Sequence, residues 1–175
     1  AEPQCGSFKA LQGQGDLRGE TVMAIVWFSL LARDLLQVVF SGTAIVPDFT
    51  VLALVWIAVF RYEDSAPLFI PAFATGLFWD LRWTALPGVT SSAYILIVAG
   101  SAWAWSHLPP GRRGNPILFF AWAIAAHGLS SFLPALLSGH GLGLHSPLVS
   151  QQGMALACVL GLTALFIRQG RTRHD

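Results

Sequence analysis

The stretch from Gly114 to Ile167 contains no aspartate, glutamate, lysine or arginine. A helix that crosses a bilayer needs roughly 20 consecutive apolar residues, so this stretch can hold two spans and a connection. Over the whole chain 11% of the residues are charged, whereas a soluble domain has about 25%. The apolar runs do not show the alternation of polar and apolar residues that membrane β-strands require. The sequence therefore indicates an all-α integral membrane protein.

The apolar segments predict a bundle of six transmembrane helices, at residues 22–41, 45–60, 66–81, 88–108, 116–137 and 147–169. Proline and glycine mark the connections, as in Pro109-Pro110-Gly111. The second and third segments are the least well defined, and a re-entrant segment that leaves five spans is the alternative. A transmembrane domain is expected over residues 22–170, with a short basic tail at 171–175. Residues 1–21 are polar, and we expect a flexible tail or an added remnant before a native start at Met23.

The lysines and arginines predict the orientation of this bundle. With six spans, Arg82 alone lies on one side, and the other side receives Lys9, Arg18, Arg61, Arg112, Arg113, Arg168, Arg171 and Arg173. Cytoplasmic loops carry the excess of basic residues. Both termini are therefore predicted to be cytoplasmic, which also favours an even number of spans.

Asp80 is a carboxylate within an otherwise apolar segment, where a charge is costly. Ala72, Gly76 and Asp80 recur every four residues, so they share one face of the third helix. Small residues on such a face let a neighbouring helix approach closely. Asp80 is then expected to accept hydrogen bonds from a neighbouring helix, a loop or a partner. The alternative is an interfacial residue that only marks the end of the helix.

Arg33 and Asp34 fall inside the first predicted span. Adjacent residues of a helix do not face each other, so each is expected to pair loosely or to meet another helix. One interpretation is a contact with a substrate or a partner, and the other is an interfacial or tilted helix in which Arg33 reaches the interface. His127, in the fifth segment, is expected to hydrogen-bond to a neighbouring helix rather than to relay protons.

Gly153, Ala157 and Gly161 form a second stripe at four-residue spacing, on the sixth segment. This small-xxx-small pattern is typical of close helix packing in membranes. Packing within the chain is its usual meaning, and a site for a partner helix is the alternative.

Signatures of catalysis are absent from the sequence. It contains no phosphate-binding loop of the Gly-Lys-Ser/Thr type, no HExxH and no GxSxG. The two cysteines form no metal-binding or disulfide pattern, and a net charge of +1 does not favour nucleic acid as a partner. We therefore expect neither an enzyme nor a resident metal or cofactor.

Three elements together resemble the bacterial rod shape-determining protein MreD family. They are Pro47-Asp48 at the opening of the second segment, the run from Gly76 to Leu81 that contains Asp80, and Leu86-Pro87-Gly88. The spacings from Gly76 to Asp80 and from Asp80 to Gly88 are those of the family. The resemblance covers about residues 23–173 and is specific only between Pro47 and Tyr94. The charged Arg33-Asp34 pair and the polar segment before Met23 depart from it.

The resemblance implies a non-enzymatic scaffold of the cell-elongation machinery in the bacterial inner membrane. Members of the family bind the membrane protein MreC and help to couple MreB filaments to the peptidoglycan synthases RodA and PBP2. It also implies a fold similar to the S-components of energy-coupling-factor vitamin transporters. The alternative function is accordingly a small-molecule binder of that type, in which Arg33, Asp34, Asp80 and His127 would converge on one cavity.

Overall fold

The computed structural model describes residues 19–40, 46–83, 86–137 and 146–171, and every regular element within them is helical. The helices are α1 Gly19–Val39, α2 Phe49–Phe60, α3 Phe69–Trp83, α4 Val89–His107, α5 Pro110–Arg113, α6 Pro116–Leu137 and α7 Ser146–Arg171, with 3₁₀ turns at Tyr62–Asp64 and Ala66–Leu68. The all-α fold expected from the sequence is confirmed for these residues. Of the basic tail predicted at 171–175, Arg171 belongs to α7, and residues 172–175 lie outside the described ranges, as does most of the predicted N-terminal tail.

Within the described ranges, three helices are long and apolar enough to cross a membrane. Their apolar windows are Glu20–Val39 in α1, Pro116–Leu133 in α6 and Gln151–Arg168 in α7. Helix α2 is also apolar but is shorter. At 1.5 Å per residue its 12 residues extend about 18 Å, well under the roughly 30 Å of a hydrocarbon core.

Helix α2 is the centre of the bundle. It packs against α1, α4 and α6, and eight of its residues are buried, among them Val51, Leu54, Val55 and Ile57. A helix that is apolar on all sides needs apolar surroundings, and here neighbouring helices supply most of them. Phe119 of α6 extends the core with an aromatic stack on Phe166 of α7.

Because α2 is short and central, its N-terminal end is buried among the longer helices. The segment Val46-Pro47-Asp48, which leads into it, is buried as well. Buried backbone N–H groups and carboxylates need hydrogen-bond partners. Polar side chains of the surrounding helices must therefore lie near the N-terminal end of α2.

Several predicted boundaries are corrected. The second helix begins at Phe49 rather than at residue 45, because Asp48 takes the cap position and Pro47 lies before it, outside the first turn. The third begins at Phe69, since Ala66–Leu68 forms a 3₁₀ turn containing Pro67. The first begins at Gly19, so residues 19–21 are helical and do not belong to a polar tail.

Candidate functional site

Asp48 is the centre of a buried polar cluster, which we define as Arg33, Asp48, Tyr94 and His127. Its side chain accepts a hydrogen bond from the backbone N–H of Val51 at 3.2 Å, so it is the N-cap of α2. An aspartate in this position satisfies one of the N–H groups that a helix start leaves unpaired. Asp48 is only 2% exposed, so its charge also needs a partner inside the protein.

Arg33, on α1, supplies that partner. Its Nη1 lies 2.9 Å from Oδ1 of Asp48 and donates to the hydroxyl of Tyr94 at 2.6 Å. Tyr94, on α4, in turn donates to Oδ2 of Asp48 at 2.9 Å. The guanidinium also stacks on the ring of Trp79, 3.5 Å from the centroid. Arginine, carboxylate and phenol thus form a closed triangle that joins α1, α2 and α4.

His127 completes the cluster from α6. Its Nε2 accepts the backbone N–H of Asp48 at 3.0 Å, so that nitrogen carries no proton. A neutral imidazole then carries its proton on Nδ1, which lies 3.1 Å from Oε1 of Gln152 on α7. Gln151 donates to the carbonyl oxygen of Val46 at 3.2 Å. These bonds attach α6 and α7 to the segment that precedes α2.

Asp34 belongs to a second group of polar side chains, at the end of α3. Its Oδ1 lies 2.8 Å from Nε of Arg82 and accepts the indole N–H of Trp83 at 2.8 Å. Arg82 is about half exposed, whereas Asp34 is largely buried. Arg33 and Asp34 point to different neighbours, as expected for adjacent residues of a helix. Arg33 is 8% exposed, so the interpretation in which it reaches the interface is wrong.

Asp80 lies in the last turn of α3 and caps the following helix. Its Oδ2 accepts the backbone N–H of Gly88 at 2.8 Å and of Thr90 at 3.0 Å, with Ser91 N–H at 3.4 Å. Gly88 occupies the N-cap position of α4 and has no side chain to accept these bonds. The carboxylate of Asp80 therefore replaces the missing cap, and its negative charge faces the positive end of the α4 dipole.

Two glycines make this turn feasible. Gly88 has φ +96°, a left-handed conformation that residues with a Cβ adopt at a cost. Gly76 lies where a Cβ would come within 2.5 Å of the Cα of Ser91, so only glycine lets the α4 backbone approach this closely. Ala72, one turn earlier on the same face, is fully buried. Gly76, Asp80 and Gly88 thus act together to join α3 to α4.

No significant match to a protein-family model, a curated protein or a solved structure is found for this chain.

The stripe of Gly153, Ala157 and Gly161 does not pack within the described part of the chain. All three residues are exposed, and a Cβ built on Gly153 or Gly161 meets no atom within 4 Å. The expectation of intramolecular packing is therefore wrong for these residues. The reason is that α7 packs chiefly against α6 and turns this stripe outward.

Gly161 also lines an apolar groove between α1 and α7, here named the α1/α7 groove. Its volume is about 590 Å³, and its other lining residues include Ile25, Ser29, Leu52, Trp56 and Leu162. The floor is α2, whose remaining sides are covered by α1, α4 and α6. The groove thus exposes the central helix along one side of the bundle.

The residues predicted to share a cavity fall into three separate places. Arg33 and His127 both contact Asp48, whereas Asp34 binds Arg82 and Asp80 binds the α4 turn. The described residues contain no group of three or more His, Cys, Asp or Glu placed to hold a metal ion. The polar groups of the cluster are engaged with one another, so the arrangement orients the helices that carry them.

Sequence reasoning missed Tyr94, Gln152 and Trp79 as members of this site. Tyr94 is fully buried, and a tyrosine at such depth needs a partner for its hydroxyl. That requirement is a usable signal, because Arg33 and Asp48 are among the few charged groups within the predicted spans. Nothing in the sequence shows which of them it meets.

Proposed function

We propose that the chain is an integral membrane scaffold of the MreD type in the bacterial inner membrane. It spans the membrane six times with both termini in the cytoplasm, has an S-component-like fold, and binds MreC. Through MreC it participates with MreB, RodA and PBP2 in lateral peptidoglycan synthesis. The function is non-enzymatic.

The observation that carries the proposal is the linked geometry of Gly76, Asp80 and Gly88. The spacing of these residues is the basis of the family resemblance, and all three meet at the α3–α4 turn. If the spacing had arisen by chance, we would not expect the three residues to act at the same turn, one in a close helix contact, one as a helix cap and one as a left-handed glycine. The motif therefore has a single structural task, which supports treating it as a family signature.

The outward stripe on α7 and the α1/α7 groove supply a docking surface for the transmembrane helix of MreC. Small residues let two helix backbones approach closely, and membrane helices associate through such faces. One face of α7 carries Gly153, Ala157 and Gly161 in succession, and all three are exposed. Gly161 also lines the groove. The partner helix is expected to pack along α7 and cover the exposed side of α2.

The test is co-purification of tagged MreC with Gly161→Leu and with a matched variant, Ala125→Leu. Ala125 is an exposed alanine of α6 that does not line the groove, so both variants add a leucine side chain to an exposed helix face. We expect Gly161→Leu to reduce recovery of MreC several-fold and Ala125→Leu to leave it unchanged. Undiminished recovery with Gly161→Leu, in a protein that folds normally, argues against this docking face; no recovery with the wild-type chain argues against the proposed function itself.

A further inference from the structure

A second groove lies between α4 and α6, at the end of the bundle where these two helices are connected by α5. Its volume is about 410 Å³, and its lining includes Trp103, His107, Leu108, Leu118 and Trp122. This is within the roughly 300–1,000 Å³ of small-molecule sites. Trp103 is 66% exposed, so one wall of the groove is an indole that faces outward.

Two arginines lie at one end of this groove. Arg112 and Arg113 are the only charged residues between Trp83 and Ile167, a range that includes both α4 and α6. They lie on α5, the connection that joins the two walls at Leu108 and Leu118. Neither wall therefore carries a carboxylate, and the end of the groove carries two cations. The Glu63 carboxylate of the neighbouring 3₁₀ turn accepts the hydroxyl of Tyr62 at 2.9 Å.

Arg113 is held in place beside the groove. Its Nε donates to the carbonyl oxygen of Leu108 at 2.8 Å, and its Nη1 donates to the hydroxyl of Tyr62 at 2.7 Å. Partial burial, together with the neighbouring Glu63 carboxylate, raises the pKa of Tyr62. The phenol thus stays neutral and does not cancel the charge of the guanidinium.

Arg112 differs from Arg113 in having no such partners. Its side chain is exposed, and its guanidinium makes no hydrogen bond or ion pair with the described residues. Arg61, on the same predicted side of the membrane, is bound to Asp64 at 3.0 Å. Arg112 is therefore a cation at the end of this groove that is available to an external anion.

We propose that the groove between α4 and α6 binds an anionic phospholipid of the cytoplasmic leaflet. One acyl chain lies against Trp103 and Trp122, and the phosphate is bound by Arg112 beside the fixed charge of Arg113. Basic pockets between helices on the cytoplasmic side favour anionic head groups. A zwitterionic lipid fits the apolar walls equally well but carries an ammonium group that the two arginines repel. The inference rests on the proposed membrane location and orientation and does not depend on MreC.

The test uses the full chain purified in detergent without MreC. Native mass spectrometry compares retention of phosphatidylglycerol with retention of phosphatidylcholine of the same acyl chains. A surface arginine near an anionic lipid contributes about 1 kcal/mol, or roughly fivefold. We therefore expect the wild-type preference for phosphatidylglycerol to fall about fivefold in Arg112→Gln and to persist in the matched variant Arg61→Gln. Trp103→Ala should reduce retention of both lipids, unlike Leu96→Ala on the exposed face of the same helix.

Glycerol 3-phosphate distinguishes a lipid site from a site for a free phosphate. It carries the anionic head group without acyl chains, so it should not displace the lipid at equal concentration. Equal retention of the two lipids by the wild type, or the same loss in Arg112→Gln and Arg61→Gln, would overturn the proposal. Resistance of the protein to extraction by alkaline carbonate tests the membrane location separately, so failure of the lipid site and failure of the proposed location are distinguished.

Discussion

Nη1 of Arg33 lies 2.9 Å from Oδ1 of Asp48, and both side chains are buried. The pair exists because α2 is short and begins inside the bundle, where its capping carboxylate has no access to water. Removing one member of a buried pair leaves an uncompensated charge, which is more costly than removing both. The pair therefore ties the position of α1 to the start of the central helix.

Replacing Arg33 by methionine should destabilise the protein strongly. The change leaves Asp48 buried without its counter-ion, a loss typically of about 3–5 kcal/mol. Arg33→Met combined with Asp48→Asn should recover part of it, because asparagine still caps α2 without a charge. Unfolding of the purified protein in detergent measures the stability of the single and of the double variant. Arg82→Gln is the control, since the half-exposed pair of Arg82 with Asp34 is worth about 1 kcal/mol at most; equal effects of Arg33→Met and Arg82→Gln would contradict the account.

Replacing Asp80 by alanine should loosen the α3–α4 turn. The change removes the acceptor for the N–H groups of Gly88 and Thr90, and a lost cap costs about 0.5–2 kcal/mol. Protease sensitivity and thermal unfolding report the loosening. Ser92→Ala is a matched control, because its hydroxyl bonds to Gly88 from an exposed position. A melting temperature of Asp80→Ala no lower than that of Ser92→Ala would rule out the capping role.

Replacing Gly76 by alanine should force α3 and α4 apart. The added Cβ would lie 2.5 Å from the Cα of Ser91, a backbone atom that cannot rotate away, and such overpacking costs about 1–3 kcal/mol. Gly161→Ala adds the same methyl group in open space and should leave the melting temperature within a degree or two of wild type. Similar stability of the two variants would show that the close helix contact is not needed.

His127 should be a neutral imidazole with its proton on Nδ1. The backbone N–H of Asp48 can only donate, so Nε2 must accept. The ¹⁵N chemical shifts of the ring in labelled protein distinguish the two tautomers and the charged form. A protonated Nε2 at neutral pH would contradict the assignment.

A related substitution tests the energetic value of this bond. His127→Leu removes the acceptor for a buried N–H group and should cost about 1–3 kcal/mol. His107→Leu, at an exposed histidine of α4, should cost less than about 0.5 kcal/mol. Comparable destabilisation by the two changes would mean that the His127 bond contributes little.

The glycine and aspartate pattern shows how far the sequence is informative. Four-residue spacing places Gly76 and Asp80 on one helix face, and Asp80 precedes Gly88 by a length that suits one short turn. Both relationships are local, because a helix repeats every 3.6 residues whatever surrounds it. The same reasoning failed for Gly153, Ala157 and Gly161, since periodicity identifies a face but does not say whether another helix of the chain covers it.

The sequence by itself determined the helical class, the approximate extent of each helix and the location of the α3–α4 turn, because these depend on apolar runs and on neighbours in the chain. Only the tertiary structure decided that Arg33 meets Asp48 and Tyr94, that Asp34 meets Arg82, and that His127 accepts the N–H of Asp48. These partners are distant in sequence. They come together because the short α2 buries its polar end, and the longer helices around it must supply the groups that satisfy that end.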